Sequence, residues 1–271
     1  MIKAAFFDID GTLVSLKTKV YPASARAAIA QARKNGVLCF VATGRSKFEI
    51  ASEHLLDGIA FDGYLTNNGQ DAYAADGSLL CGKPIDPGDA AAILDFVEQS
   101  GCAAWLVSAE QSLLNFENDR VTAAMQSIHT QPPQLGDLRR LLAHPIYKIV
   151  LFLSREEMQT PLALAPHSRC TQWFPFGHDI LSLDGGKRSA MLEILHHYGI
   201  PVSDSIAFGD SENDVEMLKA AGIGVCMGNG TPEARAAADY ITADCDENGL
   251  AKAMQHFGLL SPSPESPSLV W

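Results

Sequence analysis

Carboxylates dominate the candidate reactive residues of this sequence of 271 residues. Four aspartates stand in two short polar motifs, Asp8-Ile9-Asp10-Gly11-Thr12 and Gly209-Asp210-Ser211-Glu212-Asn213-Asp214. If the fold brings the motifs together, up to four carboxylates repel one another unless a cation lies among them. Mg²⁺ prefers a few carboxylate oxygens and commonly shares its remaining shell with water and phosphate. The two motifs therefore predict a Mg²⁺ site.

Two further motifs supply the donors that a bound phosphate needs. Thr43-Gly44-Arg45 offers a hydroxyl group, and Lys187 offers an ammonium group directly after Gly185-Gly186. The Asn213 amide and the backbone N–H groups of the turn from Ile9 to Gly11 add to this set. A metal site with phosphate donors predicts phosphoryl chemistry.

Asp8 and Asp10 are the candidate catalytic pair. A carboxylate at the end of a buried strand has a fixed position, so Asp8 is expected to attack phosphorus and form an aspartyl phosphate that water hydrolyses. Asp10 is expected to protonate the leaving oxygen and later to deprotonate the water. Gly11 lets the chain turn sharply after the pair.

Three of the four motifs directly follow predicted strands. Short continuous apolar segments are typical of strands buried on both faces, and here they are Ala4–Phe7, Val37–Ala42, Ser205–Phe208 and Ile223–Met227. Helices are predicted at Ser24–Asn35 and Glu212–Ala221, each followed by a glycine. In open α/β sheets ligands bind at the carboxyl ends of the strands, so side chains from separate strands should meet there.

The middle of the chain has a different pattern. Strands are expected there at Trp105–Val107, Leu113–Phe116, Ile146–Leu153 and Gln172–Phe174, and helices at Asp89–Gln99 and Asp119–Ile128. We predict an α/β fold: a Rossmann-like core with an open parallel sheet, formed by residues 1–81 and 184–260, and an inserted α+β cap domain at 82–183. The Ser- and Pro-rich segment 261–271 is predicted to be a disordered tail.

Composition excludes several classes of partner. Twenty Lys and Arg against thirty-two Asp and Glu give a formal charge of −12, which argues against binding to nucleic acid or an anionic membrane. The six cysteines form no CxxC pair, which suggests a reducing compartment. No apolar segment approaches the roughly 20 residues of a membrane span, so a cytoplasmic protein is expected.

Together, the four motifs resemble those of the haloacid dehalogenase superfamily, in particular its Cof-type sugar-phosphatase branch with a type IIB cap. The family pattern of DxDGT, Thr-Gly-Arg, a lone Lys and GDxxND is met by Asp8–Thr12, Thr43–Arg45, Lys187 and Gly209–Asp214. The resemblance covers nearly the whole chain. It departs at the lysine, where relatives often read Gly-x-x-Lys-Gly and this chain has Arg188 after Lys187.

The resemblance implies a role for each matched residue. Asp8 would be the nucleophile and a metal ligand, Asp10 the acid/base and a ligand through its backbone carbonyl, and Asp210 the third protein ligand. The implied phosphate-binding residues are Ile9, Thr43, Gly44, Lys187 and Asn213. The implied supporting residues are Asp214, Gly11, Arg45 and Asn68, the last in an Asn-Gly segment expected near the substrate.

The expected function is that of a Mg²⁺-dependent phosphatase of small phosphorylated metabolites. Sugar phosphates, pyridoxal phosphate and flavin mononucleotide are the candidate substrates, and the sequence does not indicate an oligomeric state. A phosphomutase also uses an aspartate nucleophile, and a regulator that binds a phosphorylated metabolite without catalysis could keep the same fold. A dehalogenase needs neither the second aspartate nor the metal, so Asp10 and Asp210 argue against it.

Overall fold

The structure, a computed structural model, describes residues 1–54, 56–128 and 130–260. The predicted tail at 261–271 lies outside the described residues. The helices are α1 Ala23–Lys34, α2 Lys47–Ser52, α3 Pro87–Ser100, α4 Asp119–Ile128, α5 Gln159–Ala163, α6 Lys187–His197, α7 Val215–Ala220, α8 Pro232–Ala237 and α9 Gly249–His256. The strands are β1 Ala4–Phe7, β2 Leu38–Ala42, β3 Gly63–Thr66, β4 Asp71–Ala74, β5 Leu79–Gly82, β6 Ala104–Ser108, β7 Ser112–Leu114, β8 Gln134–Leu135, β9 Ile146–Leu151, β10 Ser168–Phe174, β11 Gly177–Ser182, β12 Ser205–Gly209, β13 Ile223–Cys226 and β14 Tyr240–Ile241.

Within the described ranges, the larger sheet has the strand order β14-β13-β12-β1-β2-β3-β4-β5. The strands from β14 to β3 are parallel, and β4 and β5 extend one edge in antiparallel pairing. The four strands predicted from apolar segments all form in this sheet. Its parallel centre confirms the predicted α/β fold with an open parallel sheet.

Adjacent residues of the central strands of the larger sheet point to opposite faces, so both faces carry apolar side chains. Helices cover both faces. Phe7 stacks on Phe208 with ring centroids 5.1 Å apart and packs in the cluster that contains residues of α1 and α9. Phe6 stacks on Phe40 at 5.0 Å in the cluster that contains residues of α6 and α7. Each such buried side chain contributes about 1.5–3 kcal/mol, so the central strand ends that precede the polar motifs are firmly held.

The smaller sheet has the strand order β10-β11-β9-β6-β7-β8. It is formed by the chain segment that lies between the two segments that form the larger sheet. Its strands pair antiparallel except β7 with β8. One face packs in a cluster with residues of α3, and the other packs partly in a cluster with residues of α4. The predicted domain boundaries stay predictions; β5 ends at Gly82 and β11 at Ser182.

One predicted helix differs from the structure at its N-terminal end. The helix expected at Glu212–Ala221 is a 3-10 turn over Glu212–Asp214 followed by α7 at Val215–Ala220. The carboxylate of Asp214 accepts hydrogen bonds from the backbone N–H groups of Asp210 and Ser211, which explains the tight turn at this point. The strand β11 had no sequence prediction.

Within the described part of the chain, no helix combines the length and the apolar character needed to cross a bilayer.

Candidate active site

The three strand-end motifs meet at one edge of the larger sheet. Strands β12, β1 and β2 are adjacent and parallel, so Asp210, Asp8 and Thr43 follow neighbouring strand ends. Asp8 and Thr43 border a cavity of about 1650 Å³, which is also lined by residues of the smaller sheet. The sequence-based expectation that these motifs converge thus agrees with the geometry.

Three buried carboxylates and one buried ammonium group form the centre of the site. Asp8, Asp210 and Asp214 each place an oxygen within 4.8 Å of the others. Lys187, whose exposed fraction is 3%, donates to Asp8 Oδ1 and to Asp214 Oδ1, both at 2.6 Å. Three negative charges and one positive charge leave this cluster with a net charge of −2 when all four groups are ionised.

The electrostatics of the cluster reflect this excess of negative charge. Burial, followed by the neighbouring Asp214, raises the pKa of Asp210 to about 7. Burial raises the pKa of Asp8 well above its usual range, and Lys187 only partly opposes that shift. Burial alone would lower the pKa of Lys187, but Asp214 and Asp8 outweigh it, and the net shift is upward. The ammonium group therefore stays charged, and a further cation would favour ionised carboxylates.

The oxygens of the three carboxylates differ in what they contact. Both oxygens of Asp214 are engaged, because Oδ1 accepts from Lys187 and Oδ2 accepts from two backbone N–H groups. Asp210 Oδ1 accepts from the Thr12 hydroxyl at 3.2 Å, and Asp8 Oδ1 accepts from Lys187. The second oxygens of Asp8 and Asp210 accept no hydrogen bond from any described residue. These two oxygens are available to bind a cation.

Gly11 allows the close approach of the two aspartate motifs. Its φ of +87° lies in the left-handed region, and a Cβ at this position would stand 2.2 Å from Asp210 Oδ2. Any larger residue would be strained and would displace the Asp210 carboxylate.

Asp10 does not join the carboxylate cluster, which corrects the expectation of four carboxylates together. Its oxygens accept from Arg45 Nε at 2.7 Å and Nη2 at 2.9 Å. Arg45 Nη1 also donates to Glu53 at 2.7 Å and to the Thr130 hydroxyl at 3.4 Å. A bidentate guanidinium pair is directional and favourable, so it holds the Asp10 side chain away from the other acids and toward the cavity that it lines.

Backbone donors surround the same end of the cavity. The N–H groups of Ile9, Asp10 and Gly44 donate to no acceptor within the described residues, although Thr43 N–H donates to Leu65. Unpaired N–H groups at a strand end can hold an anion. The phosphate site predicted at Ile9, Thr43 and Gly44 stays a prediction.

Asn213 and Asn68 complete the polar wall. Asn213 Nδ2 donates to Asn68 Oδ1 at 2.9 Å, and Asn68 N–H donates to the carbonyl of Thr43. Asn68 has a φ of +58°, a conformation that asparagine tolerates better than most residues. The structure therefore brings together every residue that the sequence singled out, with Asp10 held by Arg45 rather than among the other acids.

Sequence reasoning missed the polar residues on the other side of the cavity. Lys148 in β9 donates to the Gly44 carbonyl and to Glu49 Oε2, both at 3.2 Å. A lone lysine inside the apolar segment Ile146–Leu151 was a usable signal, because a buried lysine needs a partner. Asp179 in β11 had no such signal, since that strand was not predicted.

Comparison with known proteins gives matches along almost the whole chain. Residues 5–254 match the model of a family described as haloacid dehalogenase-like hydrolase. The HMP-PP phosphatase of Cronobacter sakazakii is 30% identical, over 95% of this chain and 96% of its own. The solved structure of the HAD subclass IIB sugar phosphatase BT4131 is 32% identical, covers 95% of this chain and 100% of its own, and has a TM-score of 0.80. The HAD phosphatase BT1666 of Bacteroides thetaiotaomicron is 28% identical over 96% of both chains, with a TM-score of 0.85.

Proposed function

The chain belongs to the haloacid dehalogenase-like hydrolases, and we propose that it is a Mg²⁺-dependent phosphatase of small phosphorylated metabolites. The reaction proceeds through an aspartyl phosphate on Asp8. The relatives described as HMP-PP phosphatase and sugar phosphatase support a small phosphate ester as the substrate. Sugar phosphates come first among the candidates, followed by pyridoxal phosphate and flavin mononucleotide. The cytoplasmic location stays a prediction.

The observation that most supports this proposal is the buried cluster of Asp8, Asp210, Asp214 and Lys187, whose net charge is −2 when all four groups are ionised. A divalent cation compensates that charge. Asp8 and Asp210 each have one unengaged oxygen to bind it, and the resemblance adds the backbone carbonyl of Asp10. Asp214 lacks a free oxygen and instead orients Lys187 and the turn before α7. Bound Mg²⁺ would polarise the phosphoryl oxygens and offset the negative charge that develops during transfer.

The protein donors hold the phosphate against Asp8. Thr43, Gly44 and Asn213 line the cavity beside the carboxylate cluster, and the Ile9 N–H group follows Asp8 in the chain. Lys187 contacts Asp8 directly and therefore also lies within reach of a phosphate next to it. These groups orient the ester for in-line attack and stabilise the charge on its equatorial oxygens.

Two aspartates then carry the two half-reactions. An Asp8 oxygen forms a bond to phosphorus while the bond from phosphorus to the ester oxygen breaks, and Asp10 gives its proton to the departing oxygen. In the second half, Asp10 takes a proton from a water molecule that attacks the phosphorus and releases Asp8. Arg45 holds the Asp10 carboxylate in one orientation for both proton transfers.

A panel of phosphate esters tests the proposal. Wild type with Mg²⁺ is expected to release phosphate from several small esters, and excess EDTA should abolish turnover, which added Mg²⁺ restores. Asp8→Asn keeps the size of the side chain but removes the nucleophile, so kcat should fall at least about 10³-fold. Asp119→Asn, at an exposed aspartate of α4, is the matched control and should leave kcat unchanged.

Two results would count against the proposal. Turnover that persists in EDTA argues against the metal, and equal turnover by wild type and Asp8→Asn argues against the nucleophile.

A further inference from the structure

The smaller sheet presents a polar strip to the cavity. Cross-strand register places Asp179 of β11 opposite Thr171 of β10 and opposite Val150 of β9. Opposed residues share a face of a sheet, and so do residues two apart in one strand, which adds Lys148 to this face. Asp179, Thr171 and Lys148 line the same cavity as Asp8. A substrate bound through its phosphate at Asp8 therefore has this strip within the same enclosure.

One of the two carboxylate oxygens of Asp179 accepts a hydrogen bond, and the other does not. Its exposed fraction is 6%, and Oδ1 accepts from Trp173 Nε1 at 2.8 Å. The indole in turn packs over Gly177, where a Cβ would stand 2.8 Å from the ring. Oδ2 accepts no hydrogen bond from any described residue. That oxygen is not fully shielded from solvent, so a ligand that enters the cavity can supply a donor to it.

The neighbouring cations do not donate to that oxygen. The Lys148 ammonium group donates to Gly44 and Glu49 and lies 4.7 Å from the centre of the Trp105 ring. Arg169 Nη2 donates to the Gly185 carbonyl at 3.4 Å. Burial raises the pKa of Asp179, and Lys148 opposes the shift through space without a hydrogen bond.

Resting on the proposed function, we propose that Asp179 is a specificity-determining residue that accepts a hydrogen bond from a hydroxyl or amino group of the leaving group. The indole fixes one carboxylate oxygen, so the other is oriented before substrate binds. Lys148 joins the same strip to the carbonyl of Gly44 in the phosphate-binding loop. The site therefore selects esters that carry a donor at a set distance from the phosphate, such as polyol phosphates, over alkyl phosphates of equal length.

Two esters with the same reacting centre distinguish an effect on recognition of the leaving group from an effect on phosphoryl transfer. Glucitol 6-phosphate and n-hexyl phosphate are both primary alkyl esters with six carbons, and only the first carries hydroxyl groups. In Asp179→Asn the amide oxygen can still accept from Trp173, while an N–H group replaces the free acceptor. We expect kcat/KM for glucitol 6-phosphate to fall about 10–100-fold, and that for n-hexyl phosphate to change less than about threefold.

Two further variants distinguish the loss of this hydrogen bond from a general loss of structure. Trp173→Phe keeps an aromatic ring but removes the N–H that orients Asp179, so it should lower the ratio of the two kcat/KM values in the same direction. Glu117→Gln changes the charge of an exposed residue between β7 and α4 and should leave the ratio unchanged.

The outcomes are distinct. A selective loss on glucitol 6-phosphate supports the inference. Equal losses on both esters, no loss on either, or a wild type that prefers n-hexyl phosphate would overturn it while leaving the phosphatase proposal intact. A wild type that hydrolyses neither ester nor any other in the presence of Mg²⁺ would overturn the proposed function and this inference with it.

Discussion

Replacing Lys187 by methionine tests how the carboxylate cluster is stabilised. The ammonium group contacts Asp8 and Asp214 at 2.6 Å each and is almost fully buried. Methionine fills a similar volume without a charge. In Lys187→Met without metal, the three buried carboxylates lose their only contacting cation among the described residues, and the charge of the ionised cluster changes from −2 to −3.

The expected loss of stability depends on pH. Removing one partner of a buried ion pair typically costs about 3–5 kcal/mol, and we expect this range at pH 8 without metal. Lys187 lowers the pKa of Asp8, so its removal raises that pKa further. A carboxyl whose folded-state pKa exceeds its unfolded value loses stability as pH rises, because ionisation then opposes folding. The loss should therefore be smaller at pH 5.5, where the cluster can bind protons.

Urea unfolding in EDTA measures the difference, with a surface lysine as the control. Lys83 pairs with Glu193 at 3.0 Å, and both side chains are about 40% exposed. Such a pair contributes about 0–1 kcal/mol, so Lys83→Met should change the free energy of unfolding little at either pH. If Lys187→Met at pH 8 costs no more than Lys83→Met, the electrostatic account of the cluster is wrong.

Two further predictions concern the remaining acids. Burial raises the pKa of Asp210 to about 7 from an ordinary 3.8. Between pH 4 and pH 8 the free energy of unfolding of metal-free wild type should therefore fall by up to about 4 kcal/mol relative to Asp210→Asn, and Mg²⁺ should reduce that loss. Urea unfolding that shows equal pH dependence for both proteins would contradict this. Arg45→Lys breaks the bidentate contact with Asp10. The kcat for alkyl phosphates, which need a general acid, should therefore fall about 10-fold, and the kcat for p-nitrophenyl phosphate should fall much less. Equal losses on the two esters would show that Arg45 does not act through Asp10.

The parallel part of the fold was predictable from local sequence. Strands such as Ala4–Phe7 and Ser205–Gly209 are buried on both faces, so each leaves an unbroken apolar segment. Strand β11 of the smaller sheet has no such segment, and the apolar residues of the edge strand β5 are exposed or only half-buried. Gly177–Ser182 contains His178 and Asp179 and is buried only because neighbouring strands and the cavity wall surround it, which depends on tertiary contacts.

In the candidate site too, some features follow from local sequence and others depend on tertiary contacts. Motif order and strand ends predicted that Asp8, Thr43 and Asp210 would lie together, because adjacent parallel strands end at the same edge. The pairing of Asp10 with Arg45 was not predictable, since it depends on side-chain geometry between residues 35 positions apart. Likewise, the contact of Lys148 with Gly44 joins residues 104 positions apart through the packing of two sheets.

Chemical trapping of the phosphorylated enzyme tests the central claim most directly. Wild type mixed with Mg²⁺ and a substrate, quenched during turnover and reduced with borohydride, should contain homoserine in place of Asp8, because borohydride reduces an acyl phosphate but not a free carboxylate. Peptide mass spectrometry locates the change, and Asp8→Asn treated in the same way should show none. Reduction at another aspartate, or an unchanged Asp8 peptide in samples that release phosphate rapidly, would contradict the assignment of Asp8 as the residue that carries the phosphoryl group.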